Sequence, residues 1–121
     1  MAHGSPQELE ACVDACTECH AVCLATVAYC LDEGGDHAAP DHVTLLLDCA
    51  QICQTSADYM LRGSTLHTET CAVCADVCER CAEACSGWAD DEEMARCAEV
   101  CRRCAESCRR MAGGTRVAHA A

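Results

Sequence analysis

Sixteen cysteines stand at positions 12, 16, 19, 23, 30, 49, 53, 71, 74, 78, 81, 85, 97, 101, 104 and 108, and their steps within each segment are three, four or seven residues. Those steps mark one face of an α-helix, and no cysteine lies off the stripe. The pairs Cys12/Cys16, Cys19/Cys23, Cys49/Cys53, Cys74/Cys78, Cys81/Cys85, Cys97/Cys101 and Cys104/Cys108 each place two sulfurs one turn apart. Two thiolates so placed can converge on one small soft ion. The intervening steps Cys16/Cys19 and Cys78/Cys81 let thiolates bridge neighbouring ions.

The choice of ion turns on softness and charge. Thiolate and thioether donors select Cu(I). Zn(II) takes four ligands in a closed tetrahedron, and each Zn-tetrathiolate buries about two negative charges. One Cu(I) per thiolate cancels every buried charge, which is the cheaper state in a low-dielectric core. A lone buried cysteine is a small hydrophobe, but sixteen in register ask for another account. Disulfide scaffolds are loop-rich and poor in regular helix. Fe–S clusters are held by localised cysteine sets, and a redox Cys-x-x-Cys enzyme needs a βαβ context that the sequence lacks.

Four helices account for the pattern, over about 7–33, 41–62, 65–86 and 90–112, with a flexible tail at 113–121. Ser5 is the expected N-cap of the first, with Pro6 at its first position. Gly34-Gly35 stops it. Pro40-Asp41 opens the second, Ser64 or Thr65 caps the third, and Asp90 with Glu93 forms a capping-box-like start to the fourth. Short connections between long helices force antiparallel neighbours, so residues 1–121 are expected to form one all-α domain, an up-down-up-down four-helix bundle with a cysteine-lined core. The inward stripe extends to Leu9 and Thr26 on the first helix and to His42, Leu46, Ser56 and Met60 on the second. His67 and Trp88 extend it on the third, Met94 and Met111 on the fourth.

Phe is absent, and the aromatic residues are Tyr29, Tyr59 and Trp88. Burying a small thiol stabilises less than burying a leucine, so a ligand that fills the core is expected to add stability. Acids outnumber arginines by 20 to 8, lysine is absent and the net charge is −12, which argues against nucleic-acid binding and for attraction of cations. The segment 1–10 lacks the basic and apolar regions of a signal peptide, and no run of 18 apolar residues suggests a membrane span. These observations point to the cytosol, where thiols stay reduced.

A bundle of this length, filled by Cys-x-x-x-Cys and Cys-x-x-Cys steps over residues 7–112, resembles the bacterial copper storage proteins. The resemblance implies Cu(I), many ions per chain, held by paired thiolates inside each bundle. It also implies a tetrameric homo-oligomer, the cytosolic branch of the family, and non-thiol donors such as Met and His at an open end. The second helix departs from a fully lined wall, because Leu46 and Ser56 adjoin its only thiols, Cys49 and Cys53.

An acidic rim marks one end, the top, with Asp32, Glu33, Asp36, Asp41, Asp90, Asp91, Glu92 and Glu93. There His42 and Met94, with His37, are placed to pass Cu(I) to Cys30 and Cys85. Met60, His67 and Met111 form a rival cluster at the bottom, near Arg62, Arg109, Arg110 and Arg116. His3 and His119 lie in the tails, and His20 reads as a surface or interface residue. A second apolar stripe, Val13, Leu24, Val27 and Leu31 on the first helix with Val43, Leu47, Ala50 and Leu61 on the second, suggests an oligomer interface.

The expected function is Cu(I) storage by the sixteen cysteines, with His42 and Met94 as entrance ligands, roughly one ion per thiolate, and no catalytic residues. Two other readings stay open: a zinc or mixed-metal buffer of metallothionein type holding about four to five ions, and a thiol redox or oxidant-scavenging protein. Exchange with a copper chaperone or a low-molecular-weight thiol would supply and remove the metal.

Overall fold

The computed structural model describes residues 5–113. Four long helices run through it: α1 (Pro6–Glu33), α2 (Pro40–Leu61), α3 (His67–Cys85) and α4 (Glu92–Ala112). One-turn 3-10 segments, Gly35–Ala38 and Ser86–Trp88, precede α2 and α4 at the top. Each helix packs against its two neighbours in the order α1, α2, α3, α4 and back to α1, the closed square of an antiparallel bundle. Among the described residues there is no strand.

The helix ends follow local chemistry. Ser5 accepts from Glu8 N while the Glu8 carboxylate accepts from Ser5 N, a complete capping box, and Pro6 fills the first helical position. Gly34 ends α1 at φ 74°, a left-handed backbone that glycine adopts without a Cβ clash. Two expected caps move. The fourth helix starts on Asp91 rather than Asp90, because the Asp91 carboxylate accepts from Glu93 N and Met94 N. The third starts at His67, since Ser64 spends its hydroxyl on Leu66 N at 3.1 Å within the preceding turn. Gly113 closes α4 in the left-handed region at φ 58°. The expected tail beyond it, with His119 and Arg116, lies outside the described residues, as does His3.

One continuous core joins the four helices, and all sixteen cysteines in it are fully buried. Alanines flank the thiols, among them Ala50, Ala57, Ala72, Ala75, Ala82, Ala98 and Ala105, all buried. Such small neighbours let the helix axes close until sulfur meets sulfur across the bundle. Leu46, Met94 and Met111 are the largest fully buried side chains, so apolar bulk is confined to the ends and one wall of α2. The length and mean hydropathy of α1, 1.3 over its best window, would suffice for a membrane span. Its buried apolar residues are chiefly the thiols facing the other three helices.

His20 is half-buried and its Nδ1 lies 2.8 Å from the Ala50 carbonyl oxygen, so it pins α1 to α2 rather than facing outward. Ala50 likewise belongs to the core and not to the outer apolar stripe. Leu24, Leu31, Leu47 and Leu61 remain exposed.

Candidate metal centre

The structure stacks the thiols into groups drawn from three or four helices. Among the described residues, sets of four sulfurs within 4.8 Å of one another include Cys16/Cys74/Cys104/Cys108, Cys19/Cys53/Cys78/Cys104, Cys19/Cys23/Cys49/Cys101 and Cys23/Cys81/Cys97/Cys101. Cys12, Cys71 and Cys108 form a set of three towards the bottom. Neighbouring sets share members, so the stack is a chain of overlapping groups.

The i, i+4 pairs are only part of this arrangement. Cys19/Cys23, Cys74/Cys78 and Cys104/Cys108 do bring their sulfurs to 3.9, 3.7 and 4.0 Å. Closer approaches cross between helices, with Cys16 to Cys108 at 3.4 Å and Cys49 to Cys78 at 3.5 Å. Cys53 meets Cys78, Cys74 and Cys104 at 3.6, 3.7 and 3.8 Å. These separations far exceed the roughly 2.05 Å of a disulfide, and all sixteen cysteines are free thiols.

Burial pushes each thiol towards its protonated form, while a neighbouring S–H that donates to a sulfur favours its thiolate. The Cys30 thiol, buried and facing the charge of Cys97, rises from the ordinary 9.0 to about 11. Contact with Cys104 raises Cys53, whereas contact with Cys101 lowers Cys19. A metal ion entering the stack therefore displaces thiol protons.

At the top, Cys30 Sγ lies 3.6 Å from His42 Nε2 and 3.7 Å from Met94 Sδ. Thiol, imidazole and thioether thus converge as the inward stripe expects. Desolvation lowers the His42 pKa, which keeps the ring neutral and its lone pair available. The Trp88 ring covers this group, 4.8 Å from the His42 ring and 4.6 Å from that of His37. Asp91 accepts from the Tyr29 hydroxyl at 2.7 Å and meets His37 Nε2 at 3.1 Å. One rim acid is therefore committed to holding the roof, and its pKa is lowered first by the Tyr29 hydrogen bond. Sequence spacing could not pair residue 29 with residue 91, because that contact depends on how α1 and α4 dock. Cys85 is buried near the same end, against Cys81 and Cys97.

At the bottom, the Cys71 thiol donates to Met60 Sδ at 3.9 Å and Met111 is fully buried. His67 is only half-buried, with Nδ1 2.8 Å from the Ser64 carbonyl oxygen. Arg62 lies over the Tyr59 ring at 4.4 Å. Ser107 was not on the expected stripe, yet it is buried.

A thiol stack of this kind has known counterparts. The model of the copper storage protein family matches residues 5–113. The chain belongs to that family. This family member is 39% identical over 79 residues to the uncharacterized cysteine-rich protein YhjQ of Bacillus subtilis, a match covering 65% of the chain and 73% of the relative. Among solved structures it is similar to Nmul_A1745 from Nitrosospira multiformis, with 44% identity, TM-score 0.84, and coverage of 90% of this chain and 98% of that one. The Cu(I)-bound copper storage protein BsCsp3 is 37% identical, with TM-score 0.81 and coverage of 87% and 98%. A cytosolic copper storage protein from Streptomyces lividans, solved with five coppers, is 26% identical, with TM-score 0.82 and coverage of 90% and 95%.

Proposed function

We propose that this chain stores Cu(I) as copper thiolates along the core, at a load near one ion per cysteine. The observation that carries the reading is the overlap of the four-sulfur groups, which share Cys19, Cys23, Cys101 and Cys104. Zinc sites that each close on four ligands of their own could not fill all four groups together, whereas bridged Cu(I) ions can. Each ion replaces a proton, RSH + Cu⁺ giving RSCu + H⁺, so copper and sulfur keep their oxidation states and the core stays neutral. The similarity to copper-bound relatives supports the same reading.

The sixteen cysteines serve as ligands, and Cys30, His42 and Met94 form the entrance group beneath the acidic top. Sequestration needs no catalytic residue, and the chain is no enzyme. It works in the cytosol, as the Streptomyces relative does, taking copper from a chaperone or a small thiol. Chains associate through the exposed leucines of α1 and α2 into a homo-oligomer, a tetramer by family resemblance.

Anaerobic titration of reduced protein with Cu(I) against a chromogenic chelator tests the storage reading. Retention of at least about twelve equivalents per chain, towards the neutrality limit, supports it. Saturation at about four, with zinc binding equally well, would replace it with a zinc-thiolate buffer. Reversible thiol loss without metal uptake would favour redox chemistry.

A further inference from the structure

Ser56 is the one serine of the α2 stripe and is fully buried. Its Oγ has no hydrogen-bond partner among the described residues. Other helical hydroxyls answer themselves. Thr17, Thr26 and Ser86 each donate to the carbonyl four residues back, at 2.8, 2.7 and 2.7 Å. Ser56 does not, although a buried hydroxyl left without a partner loses its hydration and gains nothing in return.

The register of α2 shows what Ser56 faces. Cys53, one turn above, meets Cys74 of α3 and Cys104 of α4, and Met60, one turn below, meets Cys71. Ser56 therefore lies between the level of Cys74 and Cys104 and that of Cys71, which belongs to the lowest sulfur group, Cys12, Cys71 and Cys108. That group draws one thiol from each of α1, α3 and α4 and none from α2. Between Cys53 and Met60 the α2 stripe carries a hydroxyl and no thiol.

Building on the storage reading, we propose that Ser56 is a positioning residue for the lowest metal site, its hydroxyl donating to a metal-bound thiolate of the Cys12/Cys71/Cys108 group. In the thiol state the neighbouring sulfurs are neutral, weak acceptors. Once copper has displaced their protons they carry negative charge, and a hydrogen bond to a charged acceptor is about twice as strong as a neutral one. The hydroxyl is thus unsatisfied in the empty bundle and answered in the full one, so that it favours the loaded state.

Two variants test this, each compared with wild type in copper release to a competing chelator and in apo melting temperature. Ser56→Ala should release about one equivalent of copper roughly tenfold more readily, the loss of one charge-assisted hydrogen bond, while its apo form melts no lower than wild type. Ser56→Cys should complete a fourth wall and raise the load by about one equivalent, on the same neutrality argument. A Ser56→Ala protein that holds copper as wild type does, or that melts lower when empty, overturns the proposal. So does a Ser56→Cys protein with unchanged load. Failure of the wild type itself to hold copper would sink the storage reading together with this one, whereas a wild type that stores copper and is indistinguishable from Ser56→Ala sinks this one alone.

Discussion

Replacing Cys104 by alanine separates a shared thiolate from a private one. Cys104 is fully buried and lies 3.7 Å from Cys16, 3.8 Å from Cys53 and 4.0 Å from Cys108, touching α1, α2 and its own helix. It belongs to two four-sulfur groups, which the substitution reduces to Cys16/Cys74/Cys108 and Cys19/Cys53/Cys78. Charge neutrality predicts a total load lower by about one Cu(I). Sharing predicts something further: about two ions, one from each truncated group, become easier for a chelator to remove. The empty protein loses one buried sulfur per chain, comparable to deleting a methyl group at about 0.5–1.5 kcal/mol. For a domain of this size that corresponds to a melting temperature lower by about 4 °C per kcal/mol. Cys30→Ala is the control, because Cys30 meets His42 and Met94 rather than a shared thiol group. Chelator competition on both loaded variants, with calorimetry of both empty ones, reads all three quantities. If Cys104→Ala loosens no more copper than Cys30→Ala, the bridged stack is wrong and the thiolates act as separate pairs.

Copper uptake should release about one proton per Cu(I), measured with a pH indicator in weak buffer, and a ratio near four per ion would signal tetrathiolate zinc-like binding. The empty protein should lose stability between pH 9 and 11, because Cys30 holds its proton up to about 11 when folded against the ordinary 9.0. The folded state binds more protons in that window, so stability is complete below it and falls as pH rises, by roughly 2–3 kcal/mol from this thiol in chemical unfolding curves. His42→Leu with Met94→Leu should slow copper uptake in stopped-flow absorbance while lowering the final load by no more than about one ion in sixteen, since most thiols lie deeper. Leu31→Glu with Leu47→Glu, both about half exposed, should shift the sedimenting species towards monomer and leave copper per chain unchanged.

Much of the molecule is legible in the order of residues. A thiol every three or four positions can only face one way on a helix, so the stripe, the four helices and the cysteine-lined core follow from spacing alone. Capping chemistry was legible to within a residue or two, with Ser5 and Pro6 as expected and Asp91 taking the place foreseen for Asp90. Neighbouring acids look alike in sequence, and only the geometry of the turn selects which carboxylate reaches the free N–H groups.

Docking decided the rest. Helical spacing predicts sulfurs one turn apart on the same helix, but it contains no information on the axial offset between helices. That offset sets Cys16 against Cys108 and Cys49 against Cys78, turning a set of local pairs into a continuous, shared stack. It also joins Tyr29, His37 and Asp91 into a roof, turns His20 inward to the Ala50 carbonyl, and leaves the Ser56 hydroxyl buried without a hydrogen-bond partner among the described residues. The sequence by itself determined which atoms line the core. Tertiary structure decided which of them meet, because contacts between helices depend on how closely their small flanking residues let the axes approach.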